Sequence, residues 1–92
     1  MLTIRYTTRF KKDFKTVKKR GYDTQQLEEV LEILSSGQPL PLQYNDHTLA
    51  GDYKGHRECH ITYDWLLIYK IKDDELILKL TRTGTHSDLY RR

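Results

Sequence analysis

The chain has 92 residues, 37% of them hydrophobic and 32% charged, with a formal net charge of +3. That length supports one hydrophobic core, and the Leu, Ile and Tyr content excludes a disordered chain. The longest apolar run, around residues 65–69, is far below the roughly 20 residues that span a bilayer. No secretory h-region follows Met1, and the lone Cys59 cannot form an internal disulfide. The expectation is one soluble domain, residues 1–92, that stays where it is made and suits a reducing cytosol.

Residues 2–6 (LTIRY) alternate and are rich in β-formers, which predicts a first strand. In TTRFKKDFKTVKKR, Phe10, Phe14 and Val17 recur at helical spacing, with Thr7 or Thr8 as N-cap and Gly21 as the stop. This helix is strongly basic: residues 1–20 hold eight Lys/Arg against one Asp, while residues 21–50 hold five acids and no Lys/Arg. Such a segment is either an electrostatic footprint for a polyanion or a solvated helix face. Asp23 caps a second helix with Gln26 three residues on, and Leu27, Val30, Leu31 and Leu34 form its apolar stripe up to Gly37. The short link between the two predicts an antiparallel helical hairpin.

Residues 37–55 contain both prolines and three of the five glycines, which predicts a long irregular loop of the kind that carries function. Beyond it HRECHIT, WLLIYKI and LILKLTRT read as three strands separated by YD and KDDE, an antiparallel meander. The expected fold class is α+β, with the N-terminal strand and helical hairpin packed on a small antiparallel sheet that ends in a C-terminal meander.

Side chains suited to chemistry concentrate in the second half. All four histidines (His47, His56, His60 and His86) occur there, with Asp46, Asp64, Lys54, Arg57, Arg82 and Tyr90. Histidine titrates near neutrality, so several on one surface is what general acid–base chemistry requires. On a strand, His56, Glu58 and His60 share one face, and Arg57, Cys59 and Ile61 the other. Each residue also has a plain reading: His60 and Trp65 as core, Asp46 and Asp64 as turn residues. A zinc site built on His56, Cys59 and His60 is disfavoured, because Cys59 points away from the histidines and no further pair completes four ligands. Cys59 as nucleophile is disfavoured too, since a mid-strand thiol with apolar neighbours behaves as an inert hydrophobe. No metal and no cofactor are expected.

The stretches YNDHTLAGDYKGHRECHITYDWLLIYKI and LTRTGTHSDLY resemble the YafQ branch of the RelE-like toxins, ribosome-dependent endoribonucleases of bacterial type II toxin–antitoxin systems. The similarity covers nearly the whole chain, and its most specific part is the pair DHxLxG and RTGTH with H-x3-DW between. The resemblance implies a RelE-like fold and metal-free cleavage of mRNA in the ribosomal A site by attack of the ribose 2′-OH. It places His47 and His86 as the acid–base pair in either order, with Arg82 on the phosphate. His60 and Asp64 would position a histidine or the substrate, and Trp65 would be a platform for a base or the support behind His60. Tyr90 stands where phenylalanine is more usual and would stack on a base or join proton transfer; Tyr63 stands where proline is often found. Lys11, Lys12, Lys18 and Lys19 on the first helix, with Lys54 and Arg57 nearer the site, would face ribosomal RNA. A cognate antitoxin of the DinJ or RelB kind is implied, acidic and folding on binding, with DNA contacted only through it and no membrane involved. Two rival readings stand: a non-catalytic RNA-binding, ribosome-binding or co-repressor module of the same fold, which would show no dependence on His47 or His86, and a metal-assisted hydrolase, which would lose activity to a chelator.

Overall fold

The alternation of residues 2–6 becomes strand β1 (Thr3–Tyr6), and two amphipathic helices follow, α1 (Thr8–Lys19) and α2 (Thr24–Ser35), in a computed structural model that describes residues 1–90. Thr7 caps α1, its hydroxyl accepting the Phe10 N–H at 2.9 Å, and Asp23 caps α2 through the Gln25 N–H at 3.0 Å. Two short 3-10 turns, Leu42–Tyr44 and Gly51–Tyr53, interrupt the long loop. Between them lies β2 (His47–Thr48), and then come β3 (Arg57–Thr62), β4 (Trp65–Lys72), β5 (Ile77–Gly84) and a single helical turn, α3 (His86–Leu89).

The five strands form one sheet in the order β1-β5-β4-β3-β2. The meander is antiparallel as expected, whereas β1 joins β5 in parallel, with Thr3 opposite Ile77 and Tyr6 opposite Leu80. Parallel neighbours need a long crossover, and the helices and meander between β1 and β5 supply it. Strand β1 stops at Tyr6, so the last residues of β5 have no strand on that side. Side chains complete this edge: the Thr7 hydroxyl donates to the Thr81 carbonyl at 2.8 Å, and Asp13 of α1 accepts the Thr83 N–H at 3.2 Å.

The helices cover one face of the sheet, α1 over β5 and α2 against β3. Phe10, Val17, Leu27, Val30 and Leu34 meet Cys59, Ile61, Leu67, Tyr69, Leu78 and Leu80 there. Trp65 belongs to this core at 1% exposure, its indole N–H donating to the Thr83 hydroxyl at 2.9 Å and its ring set edge-on against Tyr22. The expectation of Trp65 as a platform for a base is therefore corrected: strand alternation turns it under the helices. The opposite face carries Leu66 and Ile68, covered by Leu49, Tyr53 and Leu89. It is on this second face that the histidines gather.

Candidate active site

His47 reaches the sheet because the long loop is pinned just before it. Asp46 accepts the Tyr69 hydroxyl at 2.6 Å and the Arg57 guanidinium at 2.9 Å, so β2 pairs with β3 and sets His47 opposite Glu58. Burial first, then Asp46, raises the Tyr69 phenol well above its usual range. His47 Nδ1–H donates to the Asn45 carbonyl at 2.8 Å, and its Nε2 lies 3.2 Å from Glu58 Oε1. Each ring nitrogen thus has an acceptor before it.

Glu58 is the centre of the cluster and is only 4% exposed. Two residues along β3, on the same face, His60 sets its Nε2 3.9 Å from the same carboxylate oxygen. The other oxygen accepts the Tyr90 hydroxyl. Burial and then this carboxylate hold the Tyr90 phenol above its ordinary range, so the hydroxyl stays protonated. The sequence placed Glu58 on the face of His60 by its period of two, but gave it no role.

His86 arrives through the RTGTH segment, and each residue of that segment has a local reason. Gly84 is required by close approach, because a Cβ there would meet Asp88 Oδ2 at 2.9 Å. Thr85 and Asp88 form a reciprocal capping box that starts α3, and Arg20, the C-cap residue of α1, clamps Asp88 with two hydrogen bonds of 2.6 and 3.0 Å. His86 then donates its backbone N–H to Asp64 Oδ1 at 2.9 Å, and its Nδ1 lies 2.5 Å from the same oxygen. These contacts, the backbone one first, hold the Asp64 carboxyl below its usual range. With Nδ1 engaged, Nε2 is the nitrogen of His86 left to meet a substrate.

The three rings form a row. His60 stands between the others, its centroid 6.2 Å from that of His47 and 5.6 Å from that of His86, both edge-on. The structure therefore brings together His47, His60, Asp64, His86 and Tyr90, and adds Glu58. Arg82 is placed differently from the expectation: it is bound bidentately by Asp13, Nε to Oδ2 at 2.8 Å and Nη2 to Oδ1 at 3.1 Å, with both side chains 12% exposed. Its charge is already matched by a carboxylate, which leaves it a poor lone phosphate ligand. Arg57 is likewise held by Asp46, and strand alternation sends it away from Glu58 and His60. Lys54 and the α1 residues Lys11, Lys12, Lys18 and Lys19 are exposed, as a polyanion-facing surface needs.

His56 lies outside the row, half-buried, with both ring nitrogens buried and unbonded, and burial lowers its proton affinity. Burial raises the Cys59 thiol above its ordinary range, which leaves it unreactive. Among the described residues no group of three or more His, Cys, Asp or Glu side chains is arranged to hold a metal ion, and no helix is long and apolar enough to cross a membrane.

Comparison with known proteins matches residues 2–91 to the model of a bacterial toxin of type II toxin–antitoxin systems, YafQ. The chain is 41% identical over 88 residues to the mRNA interferase toxin YafQ of Escherichia coli K12, covering 95% of this chain and 94% of that protein. A metal-bound toxin from Helicobacter pylori superposes with a TM-score of 0.91 at 46% identity, over 97% of this chain and 99% of that one. The E. coli DinJ–YafQ complex contains a chain that matches with a TM-score of 0.88 at 40% identity, over 98% and 99% of the two chains. A match of this extent to the family, carried by the same fold and by a chain-wide similarity in sequence, shows that the chain belongs to the YafQ toxins of bacterial type II toxin–antitoxin systems.

Proposed function

We propose that this chain is the mRNA-cleaving toxin of a toxin–antitoxin pair, and that it cuts mRNA in the ribosomal A site by general acid–base catalysis without a metal. The observation that carries this reading is the row His47, His60 and His86, backed by Glu58 and Asp64 on the face of the sheet the helices leave open. The E. coli YafQ, 41% identical, is named an mRNA interferase, and a crystal structure holds an E. coli YafQ chain in a complex with DinJ.

In this reaction the ribose 2′ oxygen bonds to phosphorus as the P–O5′ bond breaks, leaving a 2′,3′-cyclic phosphate and a free 5′-OH. One of His47 and His86 takes the 2′ proton and the other donates a proton to the departing 5′ oxygen. Asp64 fixes the ring of His86 with Nε2 outward, and Glu58 and Asn45 hold that of His47. His60 sits between them, within reach of the reacting phosphate. Since Arg82 is matched by Asp13, the protonated histidine is the cation nearest the charge that gathers on phosphorus. The site is shallow and its outer histidines, His47 and His86, are half-exposed, so the ribosome supplies alignment, with Lys11, Lys12, Lys18, Lys19 and Lys54 docking on ribosomal RNA. The partner in the resting cell is a DinJ-like antitoxin, and the place of action is the cytoplasm, where the ribosomes are.

Primer extension on mRNA with a chosen codon stalled in the A site tests this reading. New 5′ ends inside that codon are expected only when ribosomes are present, and a chelator selective for transition metals should not remove them. Loss of cleavage to that chelator overturns the metal-free mechanism. Absence of cleavage from protein that still binds ribosomes turns the reading to the non-catalytic module.

A further inference from the structure

Beside the histidine row a cavity of about 750 Å³ opens between α1 and α3. Asp13, Thr16 and Arg82 form part of its wall, with Ser87, His86 and Tyr90 closing it on the α3 side. Its volume falls within the roughly 300–1,000 Å³ of small-molecule sites. Because His86 belongs to both the cavity and the row, and Tyr90, also in the cavity wall, donates to the Glu58 that backs the row, whatever fills the cavity lies next to the reacting phosphate.

The chemistry of the wall selects the occupant. A phosphate would face the carboxylates of Asp13 and Asp88, and Asp13 cancels the charge of Arg82, so an anion gains little here. A neutral ring with donors and acceptors on its edge fits better. Asp13 Oδ2 accepts both the Arg82 Nε–H and the Thr83 N–H, whereas Oδ1 accepts only the Arg82 Nη2–H and keeps a lone pair for a ligand. Arg82 carries five N–H donors; Asp13 takes two and the Tyr53 hydroxyl engages the group as well, which leaves donors over for a ligand. A donor and an acceptor therefore sit side by side, as on the edge of a base. The Thr16 hydroxyl makes only a long bond, 3.3 Å, to its own helix at Lys12, so its oxygen can serve the cavity. Tyr90 is 38% exposed and offers a ring face for stacking. The walls are preformed, since the pairs Asp13–Arg82 and Arg20–Asp88 tie α1 to β5 and α3.

We propose that this cavity is a nucleobase subsite, which receives the base of a nucleotide adjoining the scissile phosphate and reads its hydrogen-bonding edge through Asp13, Arg82 and Thr16. The proposal rests on the RNA-cleaving reading above and extends it to codon choice. Asp13 and Thr16 are then specificity residues, and Arg82 serves the base rather than the phosphate.

Two substitutions that fill the cavity from opposite walls, Thr16→Phe and Ser87→Phe, test it, both at exposed positions. Single-turnover cleavage is measured on stalled ribosomes whose A-site codons differ by one base at a time. Wild type should discriminate among the four bases at a position adjoining the cut, and each filled variant should compress that ratio by about tenfold or more. A weakened grip on the ribosome would lower all codons equally and leave the ratio unmoved. An unchanged ratio, or a wild type with no preference at either adjoining base, overturns the proposal. A second readout needs no cleavage: 2-aminopurine placed beside a 2′-O-methylated cut site, in the same ribosome complexes. Its fluorescence should change on adding the toxin and stay unchanged with Thr16→Phe. That result with no cleavage on unmodified mRNA would sink the catalytic reading and keep the subsite; no fluorescence change with wild type would overturn the subsite.

Discussion

Replacing Asp46 by Ala should loosen the loop that carries His47, and the structure sets the size of the effect. Tyr69 is 1% exposed and its hydroxyl donates to Asp46 Oδ1 at 2.6 Å. Without that acceptor a buried phenol is left unpaired, at about 1–3 kcal/mol. The Arg57 side chain is 39% exposed, so its pair with Asp46 is near water and adds at most about 1 kcal/mol. Asp46→Ala should therefore cost about 2–3 kcal/mol, which lowers Tm by roughly 10–20 °C in a domain of this size. Asp46→Asn keeps an acceptor for Tyr69 and should cost about 1 kcal/mol or less. The decisive background is Tyr69→Phe, which removes the hydroxyl that would be orphaned, so that Asp46→Ala there should cost only the Arg57 share. Urea and thermal denaturation of wild type, both single variants and the double variant measure the coupling, expected at about 1–2 kcal/mol. Equal costs for Asp46→Ala in the two backgrounds would refute the claim that a Tyr69 bond anchors the loop.

His86→Ala should slow cleavage by about 10²-fold or more while leaving the melting temperature unchanged, since its side chain is 53% exposed. A folded variant that cleaves at the wild-type rate removes His86 from the acid–base pair. Glu58→Gln keeps shape and loses charge: cleavage should fall at least about tenfold as His47 and Tyr90 lose their carboxylate. Stability to urea should hold or rise, because a buried charge is gone, and unimpaired cleavage would deny Glu58 its central place. Burial depresses the proton affinity of His56 below its ordinary 6.5. The unfolded chain therefore takes up that proton first, so stability is full above this value and declines as pH falls below it. His56→Phe should flatten the decline between pH 7 and 5 and add about 1 kcal/mol at pH 7, read by urea denaturation. Changing Lys11, Lys12, Lys18 and Lys19 together to Gln should weaken ribosome binding and reduce its dependence on salt in a pelleting assay; unchanged binding returns α1 to a solvated face.

The elements that a local pattern encodes were legible in the chain. The spacing of Phe10, Phe14 and Val17, and the stripe from Leu27 to Leu34, mark helices that occupy Thr8–Lys19 and Thr24–Ser35, and the meander strands fall within a residue or two of their predicted places. What local pattern does not encode is which distant segments become neighbours. β1 pairs with β5 across the whole chain, and β2 is a two-residue strand beside an Asp46 held by Tyr69 and Arg57. The same division runs through the site. His47, His60 and His86 were legible because histidine is scarce and the flanking motifs are distinctive. Their carboxylate partners were less so, because aspartate and glutamate are common in turns and on surfaces. Nothing in the letters separates Glu58, buried under Tyr90, from Glu75, which is exposed. Arg82 shows the cost of that blindness: from the motif alone it reads as a free cation for phosphate, and only the packing of α1 along the open edge of β5 reveals Asp13 against it. The histidines mark the candidate site, but the carboxylates decide how each ring is held and which cations remain free, and those decisions are made by tertiary packing.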